Sequence, residues 1–108
     1  MLTSGWITAT IADGAKLSGE IDLRNHYNQV LIIMPDLDTD TSANVQVSNV
    51  SGGTFVNLHN PYLATPADIS IAESKASPVV IAGARYLKIS CSNTQSPAKT
   101  IYIIGVPW

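Results

Sequence analysis

Apolar and polar residues alternate along most of this chain with a period of two, the spacing of a half-buried β-strand. From residue 6 to 12, Ile7, Ala9 and Ile11 share one face and Thr8 and Thr10 the other. Residues 16–23 set Leu17, Gly19, Ile21 and Leu23 against Lys16, Ser18, Glu20 and Asp22. Residues 85–92 alternate through Leu87, Ile89 and Cys91, and residues 100–106 set Ile101, Ile103 and Gly105 against Tyr102, Ile104 and Val106. A one-residue slip would swap the two faces of that last strand. Segment 29–34 departs from the pattern: Val30, Leu31, Ile32, Ile33 and Met34 are apolar without a break, which predicts a central strand covered on both faces. Residues 43–49 and 54–58 predict a hairpin folding back at Gly52-Gly53. Residues 68–72 and 78–81 read as shorter strands.

Turn residues punctuate these runs. Asp13-Gly14 reads as a turn, Pro35 lacks a ladder N–H and ends the 29–34 strand, and Asn60-Pro61 and Pro97 mark irregular stretches. No segment carries a 3.6-residue apolar stripe, and no repeat or linker divides the chain. The pattern predicts an all-β fold, a two-sheet antiparallel β-sandwich or jelly roll of about eight short strands forming one domain over residues 1–108. Its expected core is Ile7, Ile11, Leu17, Ile21, Val30, Ile32, Val45, Val47, Phe55, Leu87, Ile89, Cys91, Ile101 and Ile103.

Composition changes this picture in one respect. Only 13% of the 108 residues are charged, about half the usual share, while 45% are hydrophobic. Polar surface must come from 11 Ser, 9 Thr and 7 Asn, short groups that lose little entropy when ordered against a partner. The six basic residues are scattered and the net charge is −2, which argues against nucleic acid, whose binders gather cations on one face. No apolar run approaches the ~20 residues of a membrane-spanning helix, and no basic-then-apolar leader opens the chain. A complete chain made in a cytoplasm is the expectation. The single thiol, Cys91, falls on the inward parity and is expected to act as a small core hydrophobe.

Candidate chemistry is sparse. Asp36, Asp38 and Asp40 resemble the opening of a calcium loop, but Thr41 stands where that loop needs Gly and Val47 where it needs a bidentate Glu. His26 and His59 lie in separate loops without a third metal ligand or a nucleophile with its backing carboxylate. The Asn49-Val50-Ser51 triplet reads as a turn. Neither catalytic residues nor a metal or cofactor is expected, and the chain does not read as an enzyme. Tyr27 and Tyr62, beside His26 and Asn60, could supply the stacking faces and hydrogen bonds of a sugar site. Trp6 and Trp108, near the two ends, are large aromatics suited to contact with another subunit. The candidate contact residues are therefore Trp6, Tyr27, Tyr62 and Trp108.

The opening Ala9-Thr10-Ile11-Ala12-Asp13-Gly14-Ala15-Lys16-Leu17-Ser18, the hairpin from Val45 to Leu58 with its Ser-Gly-Gly-Thr-Phe, and the strand Ala84-Arg85-Tyr86-Leu87-Lys88-Ile89 together resemble small β-sandwich virion proteins of tailed bacteriophages. The resemblance covers most of the chain without a diagnostic functional motif. It implies a capsid decoration or cement protein that binds between capsomers, with the major capsid protein as partner, a homo-oligomeric state, and a place in the virion after assembly in the host cytoplasm. The Ala-Arg-Tyr strand is also similar to a core strand of galactose-binding-like (discoidin) jelly rolls, although Lys88 replaces the more usual Arg. That second resemblance implies a fold, and makes a carbohydrate-binding module of a phage tail or fibre the alternative role.

Overall fold

The computed structural model describes residues 5–106, and these form antiparallel strands with no helix. The strands are β1 (Ile7–Ile11), β2 (Ile21–Asp22), β3 (Gln29–Ile33), β4 (Ser42–Ser48), β5 (Val56–Asn57), β6 (His59–Asn60), β7 (Ala67–Asp68), β8 (Ser70–Ala72), β9 (Ala76–Val80), β10 (Tyr86–Ser90) and β11 (Lys99–Val106). One sheet has the order β1-β11-β3-β9. The other runs β2-β10-β4-β5, with β8 also pairing β4, and β6 and β7 form a separate small hairpin. The fold is the all-β sandwich that the alternation predicts.

The sandwich is held by the inward parity of each strand. Ile11 from β1, Val30 and Ile32 from β3, Val45 from β4, Leu87 and Ile89 from β10, and Ile101 and Ile103 from β11 are all fully buried in one cluster. Each of these side chains removes enough apolar area from water to stabilise the fold by about 1.5–3 kcal/mol before entropy is counted. Ile101 pairs with Ala9 and Ile103 with Ile7, so the last strand takes the predicted register and Tyr102 points outward. Cys91 is buried beside this core. Loss of hydration pushes its thiol pKa up to about 11, with the negative charge of Asp40 adding to the shift.

Four expectations need correction. Leu17 is exposed and Ser18 is buried, the reverse of the predicted parity. The chain is not one strand there: Leu17 bridges Ser90 in one sheet and Ser18 bridges Ile11 in the other, so the segment crosses between layers. The Ser18 hydroxyl accepts the Ile89 N–H at 2.9 Å and donates to the Gly19 carbonyl, which satisfies a buried serine completely. Ile7, Val47 and Phe55 are only partly buried. Phe55 lies at the end of a long loop, its ring 4.6 Å from the Lys88 ammonium.

The hairpin also departs from a two-residue turn at Gly52-Gly53. Residues 49–55 form a loop before β5, which is only two residues long. Glu20 reaches across and accepts hydrogen bonds from the Gly52 N–H at 2.7 Å and the Ser51 hydroxyl at 2.6 Å. A Cβ at Gly53 would fall 2.4 Å from a Val50 methyl and 2.9 Å from the Ser48 hydroxyl, so any other residue there would force those side chains to shift. Finally, β3 is covered on one face only. Val30 and Ile32 are buried, but Ile33 on the opposite parity is 37% exposed. No layer of this chain, among the described residues, covers that side.

Candidate functional site

The uncovered side of β3 belongs to a larger surface. Register carries outward-facing residues across the four-stranded sheet in rows: Thr8, Tyr102, Ile33 and Ala76, then Ile104, Leu31 and Pro78, then Val106, Gln29 and Val80. Trp6 immediately precedes β1, whose first residue, Ile7, pairs with Ile103. Tyr102 is 45% exposed, Trp6 47% and Val80 64%. The only polar outward residues of these strands are Thr8, Thr10, Thr100 and Gln29, and none is charged. Contiguous apolar area on a folded domain is the kind of surface that interaction sites use.

Its local causes are plain. Three of the four strands put β-branched or aromatic residues on both parities, which favours extended backbone and gives each strand two apolar faces. Pro78 fits because β9 is an edge strand, where a missing N–H costs no ladder bond. Gly105 allows Tyr27 to lie against β11, since a Cβ there would fall 2.3 Å from the ring. Tyr27 thereby packs on the core.

A second concavity, of about 460 Å³, opens beside the other sheet. Val47, Val56, Ile81 and Ala84 give it apolar walls, and His26, Asn49, Thr54 and Arg85 line its rim. Its β9–β10 turn is built on left-handed backbone at Ala82 (φ 50°) and Gly83 (φ 88°). The N–H groups of Ile81 and Ala82 donate to the Asn28 carbonyl, and that of Gly83 to the Tyr27 carbonyl. His26 donates from Nδ1 to the Gly83 carbonyl at 2.8 Å. Arg85 donates from Nε to Asp22 at 2.7 Å, and this bond, with the Arg24 N–H, holds the Asp22 carboxyl below the usual carboxylate range.

The aspartate loop works as a clasp for residues 93–96. Asp40 accepts from the Asn93 N–H, from Asn93 Nδ2 at 2.9 Å and from Gln95 Nε2 at 3.0 Å. Asp38 accepts from the Ser96 N–H and faces the Lys99 ammonium at 3.3 Å. Asp36 accepts from the Ser74 hydroxyl. Their carboxylates point at amides, a hydroxyl and one ammonium, and no group of three or more His, Cys, Asp or Glu able to hold a metal occurs among the described residues. Gln95 is the keystone. It is fully buried, accepts the Asp38 N–H, donates to Asp40 and the Asn93 carbonyl, and ties its own backbone to Ala15 and Gly14.

The residues proposed for a sugar site are dispersed among different elements. Tyr27 packs under Gly105, His26 lines the cleft, and Asn60 pairs with Ala67 in the β6–β7 hairpin. Tyr62 follows that strand and is 94% exposed. His59 donates from Nδ1 to Asp68 at 2.8 Å, and this bond, with one from Asn57, holds the Asp68 carboxyl below its usual range. Trp6 immediately precedes β1 and is half exposed, while Trp108 lies outside the described residues. The alternation places Tyr102 and Ile104 on the outer face of the last strand but expects Leu31 and Ile33 to be covered, and it marks none of the four as a contact residue. Their signal was present as apolar residues on both parities of two neighbouring strands.

Comparison with protein-family models, curated proteins and solved structures finds no match to this chain.

Proposed function

We propose that this chain is a structural protein that acts by protein–protein association, most specifically a decoration or cement protein of a tailed-phage capsid. The observation that supports the reading is the uncharged, apolar outer face of the four-stranded sheet. A domain that leaves such a face open gains by burying it against protein, at about 25 cal/mol per Å² of apolar area covered before the entropic costs of association are subtracted. The resemblance of the opening, the hairpin and the Ala-Arg-Tyr strand to small virion proteins supplies the setting. The clasp and the crossing segment at Ser18 join loops distant in sequence, which suits a rigid part used in assembly.

The test is addition of purified protein to shells of the encoding phage assembled without it. Saturable binding at a regular stoichiometry, with greater resistance of the shell to heat, is the expected result. Failure to bind the shell at any concentration overturns the capsid reading. Tyr62 keeps a sugar-binding reading open as the alternative, because its ring stands almost wholly in solvent. Calorimetric titration with glycans, showing heat that disappears in Tyr62→Ala, would favour that alternative.

A further inference from the structure

We infer that the outer face of the four-stranded sheet is where a second copy of this chain docks, the two sheets stacking face to face about a twofold axis. The inference deepens the proposed association by naming the partner at that face. It stands on the surface itself rather than on the virion setting.

The sequence of β3 and β11 is that of strands buried on both sides, with Leu31 and Ile33 opposite Val30 and Ile32, and Tyr102 and Ile104 opposite Ile101 and Ile103. Among the described residues, the chain covers one of those sides. The missing cover must itself be apolar and free of charge, because a charged partner would lose hydration with no opposite charge to meet it. The same face on another copy satisfies that requirement. The outer face of the five-stranded sheet does not, since it carries Asp22, Lys88, Ser90, Asn44 and Gln46.

Geometry permits the match. Two sheets pack face to face about 10 Å apart at roughly −30° when their side chains are short enough to interdigitate. A twofold contact requires one self-complementary patch, which this face provides. Four strands spaced ~4.8 Å apart, each five to eight residues long at ~3.4 Å per residue, give about 300–500 Å² of face in plan. Two such faces together give about 600–1,000 Å², below the ~1,200 Å² of standard specific interfaces, so the dimer is weak and its population depends on concentration.

Sedimentation equilibrium tests the inference, run from ~10 μM to ~1 mM to span weak dissociation constants. The expected result is a mass rising toward twice the 11.5 kDa monomer. Ile104→Lys and Leu31→Lys should hold the protein at monomer mass throughout, and Lys88→Glu on the other sheet should leave the rise unchanged. Because Leu31 and Ile104 are partly packed, Val80→Lys and Tyr102→Lys at more exposed positions provide a second pair, with circular dichroism confirming the fold. A monomer at every concentration overturns the inference, as does a dimer that survives all four face variants or is lost in Lys88→Glu. If the protein stays monomeric but face variants lose shell binding, a shell protein owns the face. The inference then fails while the proposed function stands. A dimer that binds no shell gives the opposite outcome.

Discussion

The four-stranded and five-stranded sheets contribute to one core with the same kind of side chain, but they end differently on the outside. Behind Val45, Leu87 and Ile89, the five-stranded sheet presents Gln46, Lys88 and Ser90, with Gln46 donating to Asn57 and Lys88 lying over Phe55. Behind Val30, Ile32, Ile101 and Ile103, the four-stranded sheet presents Gln29, Leu31, Ile33, Tyr102 and Ile104. Inner faces report what the fold needs, and both sheets need the same thing. Outer faces report what each sheet meets after folding. The difference separates a polar, hydrogen-bonding outer face from an uncharged apolar one.

If the two inner faces form a single core, removing side chain from either should cost the same. Ile103→Ala and Ile89→Ala, each fully buried, should both lose about 2–5 kcal/mol in urea denaturation. A loss below that range on one side only would break the comparison at its foundation. Gly105→Ala tests the four-stranded sheet from the opposite direction. Its new methyl would overlap the Tyr27 ring and should cost about 1–3 kcal/mol through overpacking.

The clasp joins loops rather than sheets, and Gln95 carries it. Gln95→Ala strands the Asp38 N–H and removes one donor from Asp40, with an expected loss of about 1–3 kcal/mol. Unfolding should remain cooperative. On the outer faces, Tyr102→Thr and Lys88→Thr should each shift monomer stability by no more than about 0.5 kcal/mol at dilute concentration. Equal small effects there, with association lost in only one, would separate folding from docking.

The smallest effect concerns pH. Hydrogen bonds from His59 and Asn57 lower the Asp68 carboxyl, those from Arg85 and the Arg24 N–H lower Asp22, and those from Gly52 and Ser51 lower Glu20. A carboxyl lowered on folding binds fewer protons in the folded state, so its contribution is present above the ordinary values of 3.8 and 4.5 and is lost as pH falls through the lowered ones. Thermal unfolding should therefore weaken below the ordinary carboxylate range. Asp68→Asn should flatten that acid slope slightly, because the group is exposed and screened by solvent.

Much of the inner architecture was legible because a strand encodes its buried face locally. Ile101 in and Tyr102 out needed no distant information. The Leu17–Ser18 exchange was not legible, since the alternation runs on unbroken while the chain changes sheets beneath it. Gln95 gave no signal either: it is a buried polar residue in an aperiodic loop, and its partners at 38 and 40 lie more than fifty residues away. The outer face was visible as unbroken apolar sequence in 29–34. It was assigned to burial within the chain, because sequence alone does not say whose surface supplies the second cover. The sugar-site residues shared loop character, and loop character does not bring loops together.

The difference between the two outer faces is tested most directly by following backbone amide and methyl NMR signals as the isolated protein is diluted. The account predicts concentration-dependent shifts confined to Leu31, Ile33, Val80, Tyr102, Ile104 and their neighbours, with Asn44, Gln46, Lys88 and Ser90 unmoved. Shifts spread over both sheets, or confined to the five-stranded sheet, would contradict it, and so would a spectrum that does not change up to the solubility limit.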